Sequence, residues 1–279
     1  MTIRHTFTAL VFAFLAPAAL VPAAWAADGL ALTGDLMQGG MVIGQAPAGA
    51  EITLDGAPVK VAADGRFVIG FGRDHSAESA LTMKADGEAT TQHLAIAARS
   101  YRIERVDGLP PRTVTIPEEE RRRRARERGM VAAARADGSE RMDWAAGFVW
   151  PAIGRVSGVY GSQRILNGEP RFPHYGLDVA APTGTAVVAP NSGRIVLAEP
   201  DFLLEGGIVI IDHGFGVTST LFHLSAVDVA VGQEVARGQR IGAIGATGRA
   251  SGPHVDWRVN WNKVRLDPEL LIGPMPAEE

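Results

Sequence analysis

The sequence predicts a mainly β chain in two parts, a small N-terminal β-sandwich and a larger C-terminal β-sheet unit, joined by a linker that carries a charged helix. Glycine is abundant, 33 of 279 residues, and short β-branched runs are punctuated by Gly, Pro and Asp, as expected for many short strands and tight turns. Between residues 101 and 147 that texture gives way to glutamates and arginines at helical spacing. A 279-residue chain is long enough to bury two ordinary cores.

Residues 1–26 have the layout of a secretory signal peptide. Arg4 and His5 precede an apolar run from Ala9 to Leu20, and Ala24-Trp25-Ala26 places small residues where a signal peptidase cuts. The run is broken by Pro17 and Pro22 and is short for a span of roughly 20 residues, so no stable transmembrane anchor is expected. Export to the periplasm, or otherwise out of the cytoplasm, is the expectation.

A formal net charge of -4 argues against a nucleic-acid partner held by bulk electrostatics. The chain has no cysteine, which removes disulfides, thiol catalysis and zinc-thiolate sites together. Any metal must be held by His, Asp and Glu.

Residues 27–100 read as the sandwich. Strand-like runs at Met41-Val42-Ile43, Glu51-Ile52-Thr53-Leu54, Val59-Lys60-Val61 and Arg66-Phe67-Val68-Ile69 are separated by Asp55-Gly56 and Asp64-Gly65, pairs that tolerate the positive φ of hairpin turns. His75 and His93 fall here without other ligands at site-like spacing and read as ordinary histidines.

Within the linker, residues 101–147, a helix is expected from Thr115 to about Ala136, with Thr115 as cap and Glu118 three residues later. Glu118, Glu119 and Glu120 stand four residues before Arg122, Arg123 and Arg124, with the acids at the positive end of the helix dipole. The basic stretch Arg121 to Arg128 is either a patch for an anionic polymer or membrane surface, or a solvated connecting helix; the second is the expectation. Asp137-Gly138-Ser139 ends it.

Residues 148–273 carry the chemistry. His174 and Asp178 lie four apart, and His254 and Asp256 lie two apart. In an extended strand both spacings put the paired side chains on one face. The same alternation sends Val255, Trp257 and Val259 to a core, and His254, Asp256, Arg258 and Asn260 to the opposite face. His223 ends a third apolar run, Thr218-Ser-Thr-Leu-Phe-His223.

Over about 120 residues, from Trp150 to Leu271, this block resembles the lysostaphin-like, LytM-type family of zinc metallopeptidases that act as peptidoglycan endopeptidases. The matching stretches are His174-Tyr-Gly-Leu-Asp178-Val-Ala-Ala-Pro182, Gly184-Thr185, Ala189-Pro190, Gly193-Arg-Ile-Val196 and Val209-Ile-Ile-Asp212-His-Gly214. Leu221-Phe-His223-Leu-Ser225, Gly232-Gln-Glu-Val235, Gly238-Gln-Arg-Ile-Gly242, Gly245-Ala-Thr-Gly248 and Ser251-Gly-Pro-His254 follow in order. The resemblance implies a mainly β peptidase domain of the LytM type, with a β-sheet or barrel-sandwich core. It implies His174 and Asp178 as ligands of Zn2+, and His223 and His254 as the groups that position and deprotonate the attacking water or stabilise the oxyanion. A hydrolytic zinc keeps three protein ligands and leaves a position for water. His213, in the Asp212-His-Gly turn, is not carried over as a ligand and reads as structural.

The chain departs from the family at one point: the second motif normally reads His-x-His, and here Asp256 stands at the later His. Either Asp256 is itself the third metal ligand, since carboxylates bind zinc, or the site has lost its metal, Asp256 pairs with Arg258, and the unit survives as a binding or activating module. The implied function is therefore an endopeptidase on peptidoglycan cross-links, with a non-catalytic regulator of a cell-wall amidase as the alternative. Peptidoglycan is the expected partner, and a cell-wall amidase or another divisome component a further one. The N-terminal sandwich is a candidate to bind wall polymer or cover the groove.

If Asp256 is a ligand, two carboxylates cancel the charge of a divalent ion, and water bound there is less acidic than with two histidines. The expected outcome is a more alkaline pH optimum, and greater tolerance of manganese, than in Asp256→His. Comparing the two pH profiles checks this, and an unchanged acidic limb contradicts it.

Overall fold

The computed structural model describes residues 25–27, 29–106, 117–136 and 138–276. Residues 1–24 of the expected signal peptide, and Thr115 and Asp137 of the expected helix boundaries, lie outside the described residues. The described chain is mainly β, with one α-helix, and no described helix is long and apolar enough to cross a membrane.

The first part is a pair of four-stranded sheets. One runs in the order Trp25–Ala27, Leu30–Gly34, Met41–Gln45, Arg66–Gly70, and the other in the order Ala57–Val59, Glu51–Leu54, Glu78–Ala85, Glu88–Ala95. Their inner faces meet over Val42, Ile52, Phe67, Ile69, Phe71, Leu81 and Leu94, all buried. The Asp55-Gly56 turn takes the left-handed backbone its sequence suggests, with φ of 49° and 78°. His75 bonds Ser79 and His93 bonds Glu78, so both are ordinary polar residues remote from any ligand cluster.

The second part is a ten-stranded antiparallel sheet. Its main path runs Arg155–Gly158, Leu177–Ala180, Val255–Trp261, Val217–Val227, Gly206–Gly214, Gly193–Phe202, Glu234–Val235. Val255, Trp257 and Val259 point into the larger core with Leu177, Val179 and Leu221, as their period-two spacing requires. Every residue of Gly206–Gly214 is buried, which demands a cover on the sheet's other face as well.

Helix α1, Glu118–Ala134, is part of that cover. Val131 and Ala134 pack on a second cluster formed by Leu197, Phe202, Ile208, Ile210 and Phe222. Glu127 is buried, where it accepts from the Leu203 backbone N–H at 3.0 Å and from Arg123 Nε at 2.8 Å, and Arg123 also reaches Asp201. The helix is therefore docked rather than a freely solvated connector. Its start also differs from expectation: Pro117 occupies the cap position without a side-chain cap, and Glu118 is the first helical residue. Proline disfavours helical backbone in the residue before it, so the turn begins after Pro117. Of the expected i, i+4 pairs, Glu118–Arg122 forms, while Arg123 turns to Glu127.

Two further stretches expected as linker pack on the C-terminal part. Ile103–Val106 pairs in parallel with Gln163–Leu166, and Trp144, fully buried, stacks near Phe215. Arg99 Nη1 lies 2.7 Å from the buried Asp267 carboxylate, fastening the sandwich to the larger sheet.

His213 sits inside the larger core. Trp257 donates to Ser219 Oγ, His213 Nδ1–H donates to the Ser192 carbonyl, and the Ser219 hydroxyl, 2.8 Å from His213 Nε2, can donate to that nitrogen of a neutral ring. Complete burial pushes its pKa down from 6.5 to about 4. Between those values the unfolded chain binds a proton that the folded chain refuses, so His213 contributes stability above pH 6.5 that is lost as pH falls toward 4. Urea unfolding at pH 7 and pH 4 should show wild type losing about 3 kcal/mol more than His213→Gln over that interval. Equal losses contradict the assignment.

Candidate metal centre and histidine pair

Two neighbouring strands bring two acids face to face. Leu177–Ala180 pairs with Val255–Trp261 in a register that sets Asp178 directly opposite Asp256. Like charges directly across a ladder repel one another, so the pair needs positive charge against it. His174 supplies some: its Nε2 stands 3.1 Å from Asp178 Oδ1 and 3.5 Å from Asp256 Oδ2. One donor atom from each of His174, Asp178 and Asp256 lies within 4.8 Å of the others. His174 is in the loop ahead of the strand rather than in it, so its convergence with Asp178 comes from the loop and not from strand alternation. Its Nδ1 faces the Val159 carbonyl at 3.3 Å, which turns Nε2 toward the acids.

Asp256 serves two neighbours at once. Arg258 approaches it with Nη2 at 2.6 Å and Nε at 3.1 Å, while the other side of the carboxylate faces His174. A carboxylate has about four lone-pair directions, so pairing with Arg258 does not by itself use up Asp256. The ligand role and the Arg258 pairing, which the sequence sets against each other, are compatible in one geometry.

The electrostatics follow from the same contacts. Burial works against a charged His174, but the nearness of Nε2 to the carboxylates of Asp178 and Asp256 outweighs burial and raises its pKa to about 10. Burial works against ionised Asp256 too, yet Arg258 and then His174 hold its carboxyl well below the usual carboxylate range. Asp178 Oδ1 is buried and, despite its closeness to His174, receives no well-aligned hydrogen bond. A buried acceptor without a donor, between one imidazole and a second carboxylate, fits a divalent cation.

Sequence reasoning missed two residues that shape this site. A Cβ on Gly176 would lie 2.0 Å from Asp256 Oδ1, and one on Gly158 would lie 2.1 Å from Asp178 Oδ2. Each acid is pressed against a bare Cα. Gly176 sits inside the His174-Tyr-Gly-Leu-Asp178 motif and was open to recognition; Gly158, sixteen or more residues away from both acids' motifs in one direction, was found only through the strand pairing that sets it against Asp178.

His223 and His254 form the second half of the site. Their ring centroids are 4.7 Å apart. His223 Nδ1–H donates to the Thr247 carbonyl at 2.9 Å, and His254 Nδ1–H donates to the Gly252 carbonyl at 2.8 Å. Both contacts fix the ring and leave Nε2 as the available nitrogen. Phe222 pairs with Asp256 across the ladder, so His223 follows directly on the residue facing the acid. His223 takes φ of +64°, at an irregularity in the pairing with Gly206–Gly214, and its N–H is held by the Glu205 carbonyl. A non-glycine residue in that region costs on the order of 1–3 kcal/mol. Burial, with a smaller contribution from His254, lowers the His223 pKa and keeps its ring neutral.

Residues 172–268 match the model of peptidase family M23. The peptidoglycan DD-endopeptidase ShyA of Vibrio cholerae is 41% identical over 87 residues, 31% of this chain and 20% of ShyA. The cell division protein DipM of Caulobacter vibrioides is 29% identical over 127 residues, 46% of this chain and 20% of DipM. The chain thus matches about a fifth of the length of these curated relatives. A crystal structure assigned to peptidase M23 from Pseudomonas aeruginosa superposes with a TM-score of 0.64 at 28% identity, covering 86% of this chain and 96% of that one. Residues 172–268, which carry His174, Asp178, His223, His254 and Asp256, thus form a peptidase M23 domain of the LytM type.

Proposed function

We propose that this chain is an exported, zinc-dependent endopeptidase that hydrolyses peptide cross-links of bacterial peptidoglycan. The observation that carries the proposal is the facing pair Asp178 and Asp256 closed by His174, three donor atoms within 4.8 Å. That donor set, one nitrogen and two carboxylate oxygens, suits zinc. The chemistry such an ion would supply there is polarisation of a carbonyl and a lowering of the pKa of water toward neutrality. His174, Asp178 and Asp256 would hold it. His223, kept neutral by burial, would take a proton from the attacking water at Nε2 and return it to the departing amine, while His254 beside it, when protonated at Nε2, would steady the negative oxygen that develops on the carbonyl. The substrate assignment draws on the relatives named as peptidoglycan DD-endopeptidases. The leader-like residues 1–26 support export to the periplasm.

A second reading has one specific observation behind it: the tight Asp256–Arg258 pair, which would suit a protein that has given up its metal. On that reading the sheet face docks on a cell-wall amidase or another divisome component, in keeping with the division protein among its relatives.

Two measurements separate these readings. In the metal-free protein His174 carries a proton at neutral pH, because its pKa stands near 10. Zinc must displace that proton, so calorimetry in buffers of different ionisation enthalpy should show about one proton released at pH 7. Apparent affinity should rise by about tenfold per pH unit. Absence of zinc binding sinks the enzyme reading. Separately, His223→Ala and His254→Ala should each lower the rate of cross-link hydrolysis by about 10²–10⁴-fold while zinc content stays unchanged; full activity in either variant removes that histidine from the mechanism.

A further inference from the structure

Beside the metal centre, α1 and the outer face of the sheet enclose a cleft of about 380 Å³. Phe202, Leu204 and Phe222 give it an apolar floor. Its polar lining is dominated by guanidinium groups. Arg135, which caps the C-terminal end of α1, donates Nη2 to Thr220 Oγ1 at 2.7 Å, and its Nε is buried with no acceptor among the described residues. Thr220 is the register partner of Arg258, whose guanidinium lies 4.7 Å from the Phe222 ring centroid. Arg265 lies 4.7 Å from the ring centroid of Tyr175, the residue after His174.

Asp256 pairs with Arg258, and of the two acids in the cleft's own lining Glu127 pairs with Arg123 while Glu205 forms no ion pair with Arg135 or Arg265. Among the described residues neither Arg135 nor Arg265 forms an ion pair with a carboxylate. Burial and the nearby charges of Arg265 and Arg258 lower the pKa of Arg135 to about 10. Grouped, partly desolvated guanidiniums without a matching anion are unfavourable, and their planar forks fit a carboxylate in bidentate fashion. Arg258 joins the cleft to the metal centre directly, since it lines the one and bonds an acid of the other.

The geometry points to this cleft as the seat of a free carboxylate on the peptide substrate, gripped by Arg135 and Arg265 while the peptide's apolar groups rest on Phe202 and Phe222. It deepens the proposed function and rests on it for the ligand being a peptide. It also gives α1 a role that sequence reasoning did not: the helix is a wall of the binding site, contributing Arg135.

The test is binding to the full chain freed of metal, so that no turnover is required. Calorimetric titration with N-acetyl-D-alanyl-D-alanine and with its C-terminal amide should show the acid binding about tenfold or more tightly, with the difference shrinking in high salt. Arg265→Gln should abolish most of that difference, and Arg135→Gln likewise where it folds, leaving the amide's affinity unchanged. Equal binding of acid and amide to the wild type overturns the inference, as does a difference that survives Arg265→Gln. A protein that discriminates acid from amide but shows no hydrolysis with zinc restored would keep the carboxylate seat and refute the proposed enzyme; hydrolysis without discrimination would do the reverse.

Discussion

Everything at the site depends on two carboxylates held opposite one another on adjacent strands. Asp178 and Asp256 are locked into that confrontation by a backbone register that neither side chain can escape without unpairing the sheet. Repulsion between them is relieved only by positive charge, and the protein assembles it from two sides, His174 from the preceding loop and Arg258 from the same strand. Gly158 and Gly176 remove the side chains that would otherwise push the acids out of line. One imidazole and two facing carboxylates are a donor set that suits a divalent cation.

The rest of the sheet makes that register rigid. Val255, Trp257 and Val259 anchor one face of the acid-bearing strand in the larger core, while its neighbour Val217–Val227 is buried as far as Leu224 and the next strand, Gly206–Gly214, is buried throughout, with α1 packed over Ile208, Ile210 and Phe222. A strand fixed on both faces cannot slip, and a one-residue slip would send every side chain to the wrong face. The charged helix thus has a structural duty: Glu127, buried under it, ties the helix to the Leu203 backbone.

Much of this was legible in the sequence, and for identifiable reasons. The alternation His254, Asp256, Arg258 against Val255, Trp257, Val259 reported its two faces without ambiguity, because strand geometry has a period of two. His174, Asp178, His223 and His254 were legible because they stand in motifs with neighbouring glycines and small residues. The helix start was misplaced because capping chemistry at Thr115 was weighed above the backbone restriction imposed by Pro117. The docking of α1 was not legible at all: its apolar contacts, Val131 and Ala134, come only at its end, after a run of charge that looks solvated. Nor was the convergence of Arg135, Arg258 and Arg265, which lie on three separate elements and meet only through the fold.

The most direct measurement is a crystal structure of the zinc-loaded protein with data collected at the zinc edge. The account predicts an anomalous peak bonded to His174 Nε2 and to one oxygen each of Asp178 and Asp256, with distances of about 2.0–2.2 Å and Arg258 still beside Asp256. A peak that excludes Asp256, or no peak between these three side chains at saturating zinc, would contradict it.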